Sequence, residues 1–262
     1  KRMAHNSSET TYAAYWLYKL DQAYPRLPEA QQRAGKEQFL KALESLPASV
    51  TVRGVYSLVG FREDADLMLW VHSTDLDAMQ EFAVTLRHTG LGRYLSATQT
   101  YIGVVAGARY DPGHLPSFML GARPKNFISV YPFVKTAEWY LLPYERRREL
   151  MAEHGLVGRR FAVAREYLGA GATPSTGAGG AATAVAQPAT ETETGGGVLA
   201  NTVDSFGLGD YEFILANESD DASELCRMME ALRATEVRRY TKLDVPIFLG
   251  RLRTPEEALE SL

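Results

Sequence analysis

Five histidines, His5, His72, His88, His114 and His154, are the side chains in this chain best suited to hold a metal or move a proton near neutral pH. His154 is set apart by its neighbours. Helical spacing over Tyr144 to His154 puts Leu150 and Met151 on its own face and turns Glu145, Arg146, Glu149 and Glu153 elsewhere, with Gly155 expected to stop the helix. An imidazole on the apolar side of a helix can ligate haem iron through one nitrogen while the other donates to an acceptor. The same position also suits a satisfied core histidine or one that caps a helix end. A second candidate lies upstream. Tyr131, Phe133 and Lys135 fall on one face of a strand by two-residue alternation, with Tyr131 and Lys135 roughly 13 Å apart along it, about the span of a porphyrin with its propionates. A phenol able to lose an electron and an ammonium able to hold a carboxylate would then face the same space. A half-buried tyrosine and a solvated lysine fit the pattern equally well.

Other chemistries are absent from the sequence. No zinc-ligand spacing, phosphate-cradling glycine loop or Ser/His/Asp arrangement occurs, and the Gly-x-Gly combinations sit in a low-complexity tract. A net charge of -4 argues against nucleic acid as a partner, which calls for a basic stripe. The single Cys226 cannot form an intrachain disulfide, and its surroundings predict a helix with a buried thiol in a reducing compartment. No stretch reaches the roughly 18 consecutive apolar residues of a membrane span, and residues 1–10 lack the apolar core of a signal peptide. The expectation is a soluble, cytoplasmic protein.

The elements that must position these residues follow from periodicity. Residues 11–20, 50–59, 66–73 and 96–105 read as strands, with helices over 29–46 and from Asp75 to about Tyr94, Asp75 being the N-cap. Strand, helix, strand, strand, helix, strand is the ferredoxin-like order, and it recurs: strands at 126–136, 161–167, 198–205, 211–218 and 245–252, helices at 143–154 and 221–240. Residues recur as well. Leu86-Arg87-x-Thr89-x-x-x-Arg93-Tyr94 matches Leu232-Arg233-x-Thr235-x-x-x-Arg239-Tyr240 at constant offset. Each half should leave one sheet face bare of helices, so the two faces are expected to bury each other and enclose a cavity. The predicted α+β organisation is an N-terminal half over 1–110, a linker over 111–125 and a C-terminal half over 126–262. Residues 169–197, nearly free of large apolar side chains, read as a flexible insertion in the second half.

Three runs, Tyr131-Pro132-Phe133-Val134-Lys135, Glu138-Trp139-Tyr140-Leu141-Leu142-Pro143 and Glu149-Leu150-Met151-x-x-His154-Gly155, resemble the coproheme decarboxylases of the chlorite dismutase superfamily, actinobacterial type. Ser205-Phe206-Gly207-Leu208-x-Asp210-x-Glu212 and Arg233-x-Thr235-Glu236-x-x-Arg239-Tyr240 extend the resemblance over nearly the whole chain apart from the insertion. It implies a dimeric α+β barrel-type subunit made of two ferredoxin-like halves, assembled as a ring-shaped homopentamer, with the site in the second half.

By that resemblance His154 is the proximal ligand of the haem iron, Tyr131 the residue oxidised to a radical, and Lys135 a propionate-pocket residue. His114, in Asp111-Pro112-Gly113-His114-Leu115-Pro116, matches a distal histidine that takes a proton from hydrogen peroxide; a solvated loop histidine is the plainer alternative. Trp139 is placed at the porphyrin edge or the second reacting propionate, or else is an ordinary core tryptophan. Glu236 is the candidate acceptor for the outer nitrogen of His154, against the alternative of an exposed helix charge. The position of the distal arginine of chlorite-degrading relatives falls near Ala200, with Asn201 and Thr202 beside it, so Ala200 and Thr202 are expected to border the cofactor and no arginine is there. The implied reaction is peroxide-dependent decarboxylation of two propionates of iron coproporphyrin III (coproheme), which is both substrate and redox cofactor, to the vinyl groups of haem b. Transient contact with a coproporphyrin ferrochelatase is the partner this reading admits. The alternatives are another haem enzyme of the same fold, a peroxidase or chlorite-degrading protein, and a porphyrin carrier without activity.

Overall fold

The computed structural model describes residues 10–105, 115–163 and 197–262. In the first half strand β1 (Tyr12–Leu20) leads to helix α1 (Glu29–Glu44), strands β2 (Val50–Ser57) and β3 (Leu67–Ser73), helix α2 (Leu76–His88) and strand β4 (Leu95–Val104). The second half runs through β5 (Phe127–Lys135), the short helix α3 (Ala137–Leu141), α4 (Tyr144–Arg159), β6 (Leu199–Asp204), β7 (Phe213–Ser219), α5 (Ala222–Arg233), a short β8 (Thr241–Leu243), β9 (Phe248–Arg253) and α6 (Pro255–Glu260). All pairings between these strands are antiparallel. The spatial order is β4-β1-β3-β2 in the first half and β9-β5-β7-β6 in the second. Pairing of β2 with β9 and of β4 with β6 closes the eight long strands into a barrel, with β8 attached to the end of β5. This is an α+β fold.

Alternation along each strand decides which side chains enter the barrel. Tyr15 and Leu17 of β1, Met68 and Trp70 of β3, Ile128 and Val130 of β5, Ile214 and Ala216 of β7 and Phe248 of β9 form the inner core. The inward faces meet over these packed side chains. The intervening residues face outward beneath the helices. In the first half Trp16, Val52, Leu67 and Leu69 pack under Phe39 and Leu43 of α1 and Phe82 and Leu86 of α2. At roughly 1.5–3 kcal/mol for each large apolar side chain fully buried, that layer is a major part of the stability of this half.

The sequence repeat marks how each half turns from its second helix back into the sheet. Thr89 and Thr235, both buried, donate their hydroxyls to the Leu86 and Leu232 carbonyls at 2.7 Å, alongside their own backbone amides, at the ends of α2 and α5. Short 3-10 turns follow at Gly92–Tyr94 and Glu236–Tyr240. The Tyr94 and Tyr240 carbonyls then accept from the Asp21 and Thr136 backbone amides just past β1 and β5. The other ends of the two helices match as well. Asp75 and Asp221 are the N-caps, and the backbone amide of each donates to Ser73 Oγ or Ser219 Oγ.

Several sequence expectations are corrected. The threonine caps end α2 at His88 and α5 at Arg233, short of the predicted Tyr94 and Tyr240. Gly155 does not stop α4, which continues to Arg159 because its last turn packs on α5: Gly158 lies against Leu232, and Phe161 beyond it joins Leu225, Met228 and Leu232. The strand predicted at 161–167 is, within the described residues, a single bridge between Ala162 and Val198. Cys226 is exposed, because Leu225 and Met228 are the α5 residues that turn inward. The insertion lies outside the described residues except at its last position. Among the described residues no helix is long and apolar enough to cross a membrane.

One charged group crosses the barrel interior. A register shift between Val52 and Gly54 makes Arg53 the extra residue of a bulge and brings it inside. Its guanidinium holds Glu218 of β7 at 2.8 Å, the Ala122 carbonyl at 2.7 Å and the Trp70 ring at 4.7 Å. Glu218 also accepts from Asn201 Nδ2 at 3.1 Å and from the Lys125 backbone amide at 3.0 Å. Both halves and the linker therefore converge on one buried carboxylate. Arg53→Ala leaves that carboxylate buried without its cation and is expected to lower unfolding free energy by about 3–5 kcal/mol, read as a fall in the urea midpoint.

Candidate functional site

The outer face of the second half is built differently from that of the first. α4 buries only Leu150 of its own residues, where α1 buries Gly35, Phe39, Ala42 and Leu43. It leans on α5 and on the turn Glu236–Tyr240, and Leu150 joins Trp139 and Val237 in a small cluster edged by Tyr140, Met151 and Tyr240. Beside that cluster the sheet carries the polar residues picked out by the sequence.

Cross-strand register places four of them on one surface. Tyr131 of β5 lies opposite Leu215 of β7, and Leu215 lies opposite Thr202 of β6; Ser129, Asn217 and Ala200 form the adjacent row. Directly opposed residues share a sheet face, so Tyr131, Ala200 and Thr202 look outward together, and alternation adds Lys135. Tyr131 is 3% exposed, and Asn217 Nδ2 donates to its hydroxyl at 3.4 Å. Burial raises the Tyr131 phenol well above its usual range, so it keeps its proton throughout the neutral region. Because the amide donates to the oxygen, the phenolic hydrogen stays free for another acceptor.

Lys135 reaches over two rings, with Nζ 4.4 Å from the centre of Trp139 and 5.0 Å from that of Phe133. Burial lowers its ammonium to about 8, opposed by the charge of Glu212. Glu212 also ties this corner together, since its Oε2 accepts from the Lys135 backbone amide at 2.7 Å and from the Tyr140 hydroxyl at 2.6 Å. Trp139 is buried and stacks at 5.8 Å on Tyr240.

His154 sits in α4, half-buried, with Nδ1 sealed from solvent and without a hydrogen-bond partner among the described residues. Burial, aided by the charge of Lys135, lowers its pKa to about 4. At neutral pH the imidazole is uncharged, the state in which a nitrogen lone pair is available to a metal. Glu236 is not its acceptor here. The Glu236 carboxylate is exposed and bound by Arg146 Nη2 at 2.8 Å, an ion pair between two surface turns. His114 lies outside the described residues. Among the described residues no group of three His, Cys, Asp or Glu side chains could hold a metal ion.

The sequence did not single out Asn217, Glu212 or Asp244. Asp244 is buried and bound at 2.8 Å by both Arg233 and Arg238, and its charge acts on Tyr131. Glu212 stands within a run that carries the resemblance, and Arg233 within the internal repeat, so a signal existed for these two. Asn217 becomes visible only through the pairing of β5 with β7.

Comparison with known proteins agrees with this architecture. The sequence profile of the chlorite dismutase family matches residues 32–177 and 189–253. A coproheme decarboxylase from Mycolicibacterium smegmatis is 35% identical over 225 residues, 86% of this chain and 80% of that protein. A mutant chlorite dismutase from Candidatus Nitrospira defluvii superposes with a TM-score of 0.75 at 24% identity, covering 95% of this chain and 94% of the other. A chlorite dismutase from the same organism in complex with imidazole gives 0.74 at 24% identity with the same coverage. At that identity the structural likeness speaks to the fold.

The two half-buried histidines His72 and His154 generate an acid-side prediction. His72 and His154 both have folded pKa values near 4 against a usual 6.5, so between these limits the unfolded chain binds protons that the folded chain refuses. Stability should hold above pH 6.5 and fall as pH drops toward 4. His154→Asn is expected to make that fall shallower in urea titrations of the porphyrin-free protein, leaving the share due to His72.

Proposed function

Since the chain belongs to the chlorite dismutase family, we propose that it is an oxidoreductase that uses hydrogen peroxide to decarboxylate two propionates of coproheme, yielding haem b. The observation that carries this reading is the combination of an uncharged His154 whose Nδ1 has no hydrogen-bond partner among the described residues, a protonated buried Tyr131 and the Lys135 ammonium around one face of the second half. When bound, the iron porphyrin supplies the peroxide-activating metal together with the propionates that react. Each turnover removes two electrons, one proton and carbon dioxide from a propionate, leaving a vinyl group, while one hydrogen peroxide takes up the electrons and becomes water.

His154 would hold the iron through an imidazole nitrogen. Tyr131, whose hydroxyl oxygen is already engaged by Asn217, gives up its phenolic hydrogen and relays oxidation to the propionate. Lys135 at neutral pH is largely an ammonium and holds a propionate, stacked over Trp139 at the porphyrin edge. Ala200 and Thr202, on the same sheet face as Tyr131, would border the group without adding a cation, and the absence of an arginine at either position disfavours chlorite as substrate. His114 accepts the first peroxide proton and passes it to the departing oxygen. Glu236 serves as acceptor for His154 only if Arg146 releases it. Tyr131 is sealed in this form, so the ligand reaches it only when the side chains that cover it move. The same reading includes two ferredoxin-like halves per subunit, a homopentameric ring, a cytoplasmic setting and coproheme delivered by a ferrochelatase.

Tyr131→Phe is expected to bind coproheme with unchanged affinity and to release no carbon dioxide when peroxide is added, as followed by mass spectrometry of the porphyrin. Wild-type protein that leaves coproheme intact under peroxide would instead identify a carrier. Continued decarboxylation by the variant would remove the radical role from Tyr131.

A further inference from the structure

Three phenols and an indole inside the barrel take no part in this chemistry. Tyr15, Tyr56 and Trp70 are fully buried and Tyr101 is 2% exposed. Their polar tips, Tyr15 Oη, Tyr56 Oη, Trp70 Nε1 and Tyr101 Oη, have no hydrogen-bond partner among the described residues. A buried donor left unmade costs about 1–3 kcal/mol, and native interiors seldom keep several together.

Strand register gathers the four at one level of the barrel. Tyr101 lies opposite Tyr15, Tyr15 opposite Trp70, and Trp70 opposite Gly54. The Tyr56 ring folds over Gly54, so closely that a Cβ there would stand 2.6 Å from its hydroxyl. All four belong to the inward core; the Tyr15 and Tyr56 hydroxyls lie near enough to act on each other and both feel Glu218 and Arg53, while that of Tyr101 lies nearer Tyr211, Arg62 and Asp64. Glu218 does not satisfy them, being occupied by Arg53, Asn201 and the Lys125 amide. Its carboxylate is near enough to raise the Tyr15 and Tyr56 phenols further, after burial itself.

We propose that the barrel axis holds a small cluster of ordered water at this level, bound by Tyr15, Tyr56, Trp70 and Tyr101. Water fits because each molecule can both accept from these donors and donate to the phenol oxygens, with about three partners in a typical buried site. The structure also offers a way in. β4 pairs with β6 only at Val104 and Asp204, and beside that pair a hollow of about 180 Å³ opens between β4 and the β6–β7 connection. Tyr101 lines it, together with Ser205, Asp210, Tyr211 and the core residue Ile214. Tyr101 thus stands between this hollow and the inner core. The inference is independent of the proposed reaction.

A crystal structure of the full chain at a resolution that orders internal water, with thermal unfolding of Tyr15→Phe and Tyr56→Phe, tests it. Density peaks within hydrogen-bonding distance of the Tyr15 and Tyr56 hydroxyls are expected. Each phenylalanine variant should melt about 2–4 °C lower, because it strands a bound water. A dry axis, or density that fits an ion or organic molecule instead of water, overturns the proposal. So does a Tm that stays level or rises in both variants, since removing an unsatisfied donor from a dry core is neutral or favourable.

Discussion

The buried pair of Arg53 and Glu218 is the interaction on which the rest of the molecule depends. A bulge in β2 brings the cation inside, and the carboxylate it meets belongs to a strand of the other half. Taking both charges out of water is tolerable only because the remaining lone pairs and protons are used, by Asn201, Lys125, Ala122 and the face of Trp70. Two repeated units become a single closed sheet whose register is fixed at β7. That register reaches the site. Glu218 points inward, and Asn217, one residue earlier, points outward and holds the Tyr131 hydroxyl.

The two halves share one spatial strand order, and the outer face of the second differs from that of the first. In the first half α1 and α2 press Phe39, Leu43, Phe82 and Leu86 into the sheet. In the second half the corresponding ground is shared among Tyr131, Asn217, Lys135 and the thinly anchored α4. Burial without full pairing sets the protonation states: an imidazole pushed toward the neutral form, a phenol that keeps its proton, and an ammonium lowered to about 8. Those are the states that the proposed reaction would require of an iron ligand, a hydrogen donor and a clamp for a carboxylate.

Much of this was legible in the sequence, and the failures have physical causes. The strand order, the N-caps Asp75 and Asp221 and the repeated Leu-Arg-x-Thr motif could be read because period and capping are local properties. The lengths of α2 and α5 were overestimated because the repeat threonines end them through side-chain bonds that a propensity argument does not weigh. Gly155 misled for the opposite reason: packing of the last turn of α4 against Leu232 outweighs the roughly 1 kcal/mol that glycine costs in a helix. At the site, Tyr131 and Lys135 followed from alternation, whereas Asn217 and Asp244 depend on contacts across the sheet and between turns. Glu236 was chosen from a family pattern, and the nearby Arg146 holds its carboxylate at the surface.

The central claim is that the imidazole of His154 is what binds the iron. Titrating coproheme into the wild-type protein and into His154→Ala, while recording the Soret band, measures this directly. The account predicts a shifted Soret band for the wild type that is lost in the variant, with affinity weaker by at least about tenfold, or 1.4 kcal/mol. An identical spectrum and affinity in the two proteins would contradict it.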